Sequence, residues 1–218
     1  MGVPLAYSYD TLQAGLKVGA SDINDFRKYK ELKTAKDRFV VTPNNVTIDA
    51  YAAFDVTDEP VVIYVPALPE SRWYIVQLGD FFDEIFHNIG GTKGQQPGTY
   101  ILAAPDYNGP VTGEMTRLVP RTKMGAAAVR IFVKGEADLP KAIEAQKGFR
   151  LMPLSAYLHD GLAYQPPKPA ALPSFESAAP TELLPFDKIG HAMHVFLPIG
   201  ADNDDTLVFA LHLRSRHL

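Results

Sequence analysis

The chain has no cysteine among its 218 residues. Disulfides, thiolate chemistry and Cys-ligated zinc are thereby excluded. No apolar run reaches the roughly 18–20 residues that a bilayer span requires, so no membrane span is expected. Positive charge is not in excess: 21 Lys and Arg stand against 25 Asp and Glu, for a net charge of -4. A nucleic-acid partner calls for a basic face, and none is expected here. The opening residues, MGVPLAYSYD, carry neither a basic segment nor a long apolar stretch. No signal peptide is therefore read, and the chain as it stands is expected to be cytoplasmic. Gly-x-Ser-x-Gly, a phosphate loop and a dinucleotide fingerprint are all missing, so no cofactor is expected. Tryptophan occurs once, at Trp73.

What is present is an ordinary globular composition, 46% hydrophobic and 21% charged, with 18 prolines. The densest apolar sequence surrounds Trp73, over residues 72–98. From Arg72 to Asp80 the residues alternate: Tyr74, Val76 and Leu78 on one side, Trp73, Ile75 and Gln77 on the other. Period two with aromatic and β-branched residues predicts a strand, and apolar groups on both sides predict cover on both faces. Phe82, Ile85, Phe86 and Ile89 then fall at helical spacing. A short helical turn and a bent strand bulged at Gly79-Asp80 both fit; glycine inside a strand favours the bulge. Gly90, Gly91, Gly94 and Gly98 close the stretch as turn residues.

In chain order, residues 1–38 read as helical. Tyr9, Leu12 and Leu16 form one stripe, and Ser21 is placed as an N-cap ahead of Phe26, Tyr29 and Leu32. Six β-rich runs follow: FVVTP, TIDAYAAFDV, PVVIYVP, RWYIVQLGD, TYILAAP and VRIFVKG. Pro60, Pro66, Pro69, Pro97, Pro105, Pro110 and Pro120 sit at the edges of these runs, as ladder pairing demands. Short strands at even spacing predict a mainly β sandwich or barrel. Residues 106–113 are a loop by composition. Residues 139–148 form a short helix with Pro140 in its first turn. Residues 161–180 bring prolines and alanines without periodicity, an extended arm. Residues 183–197 read as a last helix with Phe186, Ile189, Met193 and Phe196 on one face. The division expected is a helical segment 1–38, a β domain 39–155, and an arm with a terminal helix over 156–218.

Asn44, Asn45, Thr47, Asp55, Pro60, Arg72, Tyr74, Gln77, Asp80, Ile89, Gly90, Arg130 and Gly135 fall in an order that resembles the bacterial domain of unknown function 1254 family. The resemblance covers roughly residues 39–155. It implies an immunoglobulin-like antiparallel β-sandwich with helical flanks. It also implies a following jelly-roll domain of unknown function 1214, which is absent from this chain, and frequent export of family members. This copy departs from the family pattern. Val46 stands where an acid is usual, Asp49 where an aromatic is usual, and Asp83-Glu84 replace a Thr-Asn pair.

The ligand-binding candidates are Asn45, Thr47, Asp49, Arg72, Tyr74, Gln77 and Asp80. Arg72 and Asp80 lie eight residues apart, roughly 26 Å along a strand, so each is expected to find a partner in the Asn44–Asp49 turn. The plainer reading makes Arg72 an inter-sheet ion pair and Asp80 a turn cap. Asp80, Asp83 and Glu84 are candidate paired carboxylates, though a solvated acidic edge is the favoured reading. His191 and His194, with His212, have the spacing of a partial metal set; exposed helix histidines are favoured, and no metal is assigned. His87 reads as an edge histidine. No catalytic residue is assigned. The favoured role is a binding or scaffolding module for a small or saccharide-like ligand or a partner domain. Tyr51, Tyr64, Trp73, Tyr74, Phe81, Phe82 and Phe86 supply aromatic surface for a core and part of a ligand cleft. The alternatives are a hydrolase or lyase centred on Arg72 and Asp80, and one half of a two-domain protein. A homo-oligomer or the jelly-roll domain would then be the partner.

Overall fold

The computed structural model describes residues 3–19, 22–37, 44–81, 84–109, 111, 114–168 and 171–196. Within them the chain is mainly β, with nine strands in two sheets and four α-helices. The strands are β1 (Arg27–Lys28), β2 (Thr47–Asp55), β3 (Val61–Val65), β4 (Tyr74–Asp80), β5 (Ile85–Gly90), β6 (Gly98–Leu102), β7 (Met115–Leu118), β8 (Met124–Phe132) and β9 (Arg150–Pro153). The helices are α1 (Val3–Lys17), α2 (Leu139–Lys147), α3 (Leu154–Asp160) and α4 (Leu184–Val195). One sheet has the order β1-β2-β8-β4-β5, the other β7-β6-β3-β9. Every pair is antiparallel except β6 with β7, which is parallel.

The two sheets share one core. Ile48, Ala50, Ala52 and Phe54 of β2, Val76 and Leu78 of β4, and Val129 and Ile131 of β8 meet Val61 and Ile63 of β3 and Leu102 of β6. The alternation expected in β4 is what places Tyr74, Val76 and Leu78 inward. Each fully buried aliphatic side chain contributes about 1.5–3 kcal/mol by leaving water. A second cluster caps the far end of the five-stranded sheet. There Leu5, Tyr9 and Leu12 of α1 and Ala192 of α4, with Phe196, cover Ala53, Phe81 and Met124. A third cluster, with Leu154 of α3, lies over Val62, Ile101 and Met152 on the back of the four-stranded sheet.

Several expectations are corrected. The helix in the first 38 residues stops at Lys17. Residues 22–37 are not helical, because the open edge of β2 takes them up instead. Asn24 N–H donates to Ala53 O at 2.8 Å, Ala53 N–H donates to Asp22 O at 2.9 Å, and Phe26 sinks into the core. The Ser21 cap, the FVVTP run, Phe82, Asp83 and the tail with His212 lie outside the described residues. After β4 the chain does not continue as one bent strand but turns back as β5. The ladder between them is shifted at Leu78/Gly79, so the irregularity lies one residue from the expected bulge. Strands β7 and β9 and helix α3 were not anticipated. On α4, Ala192 is buried while Phe186 is exposed, since α1 covers only one side.

The β4–β5 hairpin ends at Gly90, with φ +82°. A Cβ there would sit 2.8 Å from the carbonyl oxygen of Tyr74. Gly90→Ala is expected to cost about 1–3 kcal/mol from backbone strain alone. Urea denaturation of both proteins measures it; equal midpoints would mean the hairpin accepts a side chain there.

Candidate functional site

The outward face of the five-stranded sheet is built in rows by its register. Asp49, Arg130, Ile75 and Gly90 lie side by side across β2, β8, β4 and β5. The next row is Tyr51, Ala128, Gln77 and Asn88. Thr47 and Phe132 form the row at the near end, where Phe132 N–H donates to Trp73 O at 3.1 Å. Helices α1 and α4 cover the rows around Ala53 and Met124. At the near end Trp73 and Phe132 are 42% and 41% exposed.

Polar side chains run across this face in bonded succession. Asn44 Nδ2 donates to Thr47 Oγ1 at 2.7 Å, and the Thr47 hydroxyl donates to Asp49 Oδ1 at 2.7 Å. The Tyr51 hydroxyl donates to the other oxygen, Oδ2, at 2.8 Å. Asp49 is only 3% exposed. A buried carboxylate needs such donors, because water can no longer solvate it. Burial pushes the Tyr51 phenol well above its usual range, and the charge of Asp49 and the bond to it push the same way. Arg130 donates to Gln77 Oε1, and its guanidinium lies 6.0 Å from the centre of the Tyr51 ring. Tyr29 meets Tyr51 edge-on at 5.9 Å, with the Lys33 ammonium 4.3 Å above the Tyr29 ring.

Beside this array, along β4 and β5, lies a half-open cavity of about 300 Å³. Trp73, Ile75, Ile85, His87, Asn88 and Lys93 are among its lining residues. The Asn88 side-chain amide oxygen, Oδ1, is buried and has no hydrogen-bond partner among the described residues. An acceptor left unmade costs about 1–3 kcal/mol. Burial lowers the His87 pKa, and the neighbouring Lys93 charge lowers it further. The rim is held by Gln96: its N–H donates to the Tyr74 hydroxyl at 2.8 Å, and its Oε1 accepts from Gly90 N–H at 3.0 Å.

Of the seven sequence candidates, the structure brings Thr47, Asp49 and Gln77 onto this face. Asn45 is exposed on the turn, and its neighbour Asn44 makes the bonds to Thr47 and to Val46 N–H. Tyr74 points into the core, edge-on to Phe149 at 5.3 Å. Arg72 does not meet the turn. Its guanidinium donates to both Asp138 oxygens at 2.7 Å and to Phe132 O at 2.9 Å. Asp80 accepts from Glu84 N–H at 3.1 Å and lies 3.3 Å from Arg121 Nε. Arg72 and Asp80 thus flank opposite ends of β4 with separate partners, and they do not share a centre. His191 packs edge-on to Tyr9 at 4.9 Å, and its Nε2 lies 3.3 Å from Pro173 O. Sequence reasoning named Tyr51 only as aromatic surface and Arg130 only as part of the family pattern, and did not single out Asn88. Tyr51 was findable, since it shares a strand face with Asp49 at i+2.

The fold and this face define a two-sheet β protein with a polar outer surface. Residues 23–153 match the model of the family described as Protein of unknown function (DUF1254), and the chain belongs to that family. It is similar in structure to the VPA0106 protein from Vibrio parahaemolyticus, with a TM-score of 0.67 and 21% identity. That match covers 90% of this chain and 45% of the Vibrio protein, so the chain spans less than half the length of that relative. An uncharacterized protein from Burkholderia cenocepacia aligns with a TM-score of 0.34 and 12% identity, over 62% of this chain and 36% of that one. No curated protein matches the chain.

Two substitutions test the bonding. Tyr51→Phe removes a donor to a buried carboxylate and is expected to cost about 1.5–3 kcal/mol, read from urea midpoints. Arg72 holds the Asp138 carboxyl well below its usual range through their hydrogen bonds. A depressed carboxylate adds stability above its unfolded pKa, about 3.9, and that stability is lost as pH falls through the folded value. Arg72→Ala should therefore melt lower than wild type by a constant margin from pH 7 to pH ~5, the margin closing only well below pH ~4. A gap that is absent at pH 7 would dissociate the pair from stability.

Proposed function

We propose that the chain is a non-catalytic binding module whose recognition surface is the outward face of the five-stranded sheet. The observation that carries this is the bonded array from Asn44 through Thr47, Asp49 and Tyr51 beside the Trp73 cavity. Its groups are held by one another rather than left to rearrange, which lowers the ordering cost of binding. A flat polar array beside a half-exposed indole suits a small saccharide-like ring, with hydroxyls for the polar groups and an apolar C–H face for the indole. In this reading residues 39–155 form the β domain that carries most of the face, and α1 and α4 of the flanking segments 1–38 and 156–218 cover its far end. We also place the two sheets in the immunoglobulin-like class. Support for that is the chain crossing between sheets from β2 to β3 and again from β3 to β4.

A second reading has its own support. The chain spans 45% of the Vibrio protein, and Val46, Trp73 and Phe132 are exposed together at one end of the sheet. They would dock a further domain or a second copy.

Trp73 is the chain's single tryptophan and lines the cavity, so its fluorescence reports occupancy directly. Titration with neutral and acidic mono- and disaccharides is expected to change Trp73 emission saturably for at least one of them. The same sugar should raise the melting temperature, by the equivalent of about 2.7 kcal/mol at a hundredfold excess over Kd. An unchanged emission and melting point across the panel, with light scattering that grows with protein concentration, would sink the first reading in favour of the second.

A further inference from the structure

The lining of the Trp73 cavity is unequal in charge. Lys93 ends the turn Gly91–Lys93 on its rim, and the described lining includes no carboxylate. His87 also lines the cavity, its pKa lowered by burial and by the Lys93 charge. Lys93 is thus the cation on the cavity rim. The neighbouring rows add Arg130, opposite Ile75, and Arg27, opposite Tyr51. Lys33 reaches to 6.0 Å from the Tyr51 ring. The carboxylate among them, Asp49, already accepts two hydroxyl bonds.

One further feature narrows the ligand. The volume, about 300 Å³, is at the bottom of the roughly 300–1,000 Å³ range of ligand sites, which fits one ring rather than an extended chain. Asn88 also lines the cavity, and its side-chain amide oxygen is closed to solvent, so the ligand is held by Lys93 and Trp73 rather than by that oxygen.

We infer that the Trp73 cavity takes a single sugar ring bearing a carboxylate, a hexuronate, with Lys93 on the carboxylate and the Trp73 indole against the apolar face. This rests on the binding-module reading and adds the charge of the ligand and the residue that selects it. The ion pair forms at a half-open site, so salt should weaken it.

The full chain is titrated with glucuronate and galacturonate and with glucose and galactose, following Trp73 emission at low and at 150 mM salt. The uronates are expected to bind at least tenfold more tightly than the neutral sugars at low salt, with the gap shrinking at 150 mM. Lys93→Gln, an exposed change whose folding is checked by circular dichroism, should bring the two classes to parity. Equal binding of uronates and neutral sugars by the wild type overturns the inference and leaves the module reading standing. A uronate preference that survives Lys93→Gln overturns the assignment of the cation. Binding of neither class removes both readings.

Discussion

Strand β8 is hydrogen-bonded along both edges, to β2 across Thr47–Asp55 and to β4 across Tyr74–Asp80. That double pairing is the constraint on which the rest depends. Ala127, Val129 and Ile131 face the core, while Ala126, Ala128 and Arg130 face outward. A slip of one residue would exchange the two sets, burying Arg130 and exposing Ile131. The register that secures the core thereby sets the outer rows, and with them the positions of Asp49, Tyr51 and Gln77. The small side chains of Ala126 and Ala128 keep the middle of the outer face low, so the groups on β2 and β5 rise on either side. Gly125 serves the same economy of space, since a Cβ there would meet the carbonyl oxygen of Gly79 at 2.4 Å.

Two buried carboxylates show different ways of meeting one cost. Asp49 is solvated by hydroxyls from its own strand, at i-2 and i+2. Those donors come with the strand and need no distant contact. Asp80, whose side chain is fully buried, takes a backbone N–H from Glu84 and an arginine that is itself 52% exposed. Arg121 also bonds Glu84, so a surface residue ties the start of β5 to the end of β4. Exposed pairs contribute little to stability, whereas stranding a buried acid is costly. The importance of Arg121 lies in what it covers.

The architecture was readable wherever burial followed a local period. β2, β3, β4, β6 and the second half of β8 are alternating or continuous apolar runs between prolines and glycines, and they fold as strands. β9 was hidden because Arg150–Pro153 is short and follows a helix; its burial comes from pairing with β3. β7 was hidden because two of its four residues are exposed and its partner β6 lies parallel. Residues 22–37 showed an apolar spacing that suits a helix, but Asn24, at φ +54°, exchanges side-chain bonds with the backbone of Asp55. An open strand edge nearby outweighed a modest helical preference.

Sequence by itself determined β2, β3, β4, β6 and the second half of β8, and the placing of Thr47 and Asp49 on one face, because these follow from local apolar runs and a period of two residues. Family membership was legible because the motif residues lie in and beside those strands in a fixed order. Tertiary structure alone decided the partners. Arg72 finds Asp138 across 66 residues, and Gln77 finds Arg130 across 53. Such pairings depend on which strands become neighbours and in what register, and a local period carries no information about either. The cavity beside Trp73 has the same origin. It exists because β5 folds back on β4 and ends in two glycines of positive φ, Gly90 and Gly91, which bring Thr92 and Lys93 to its rim.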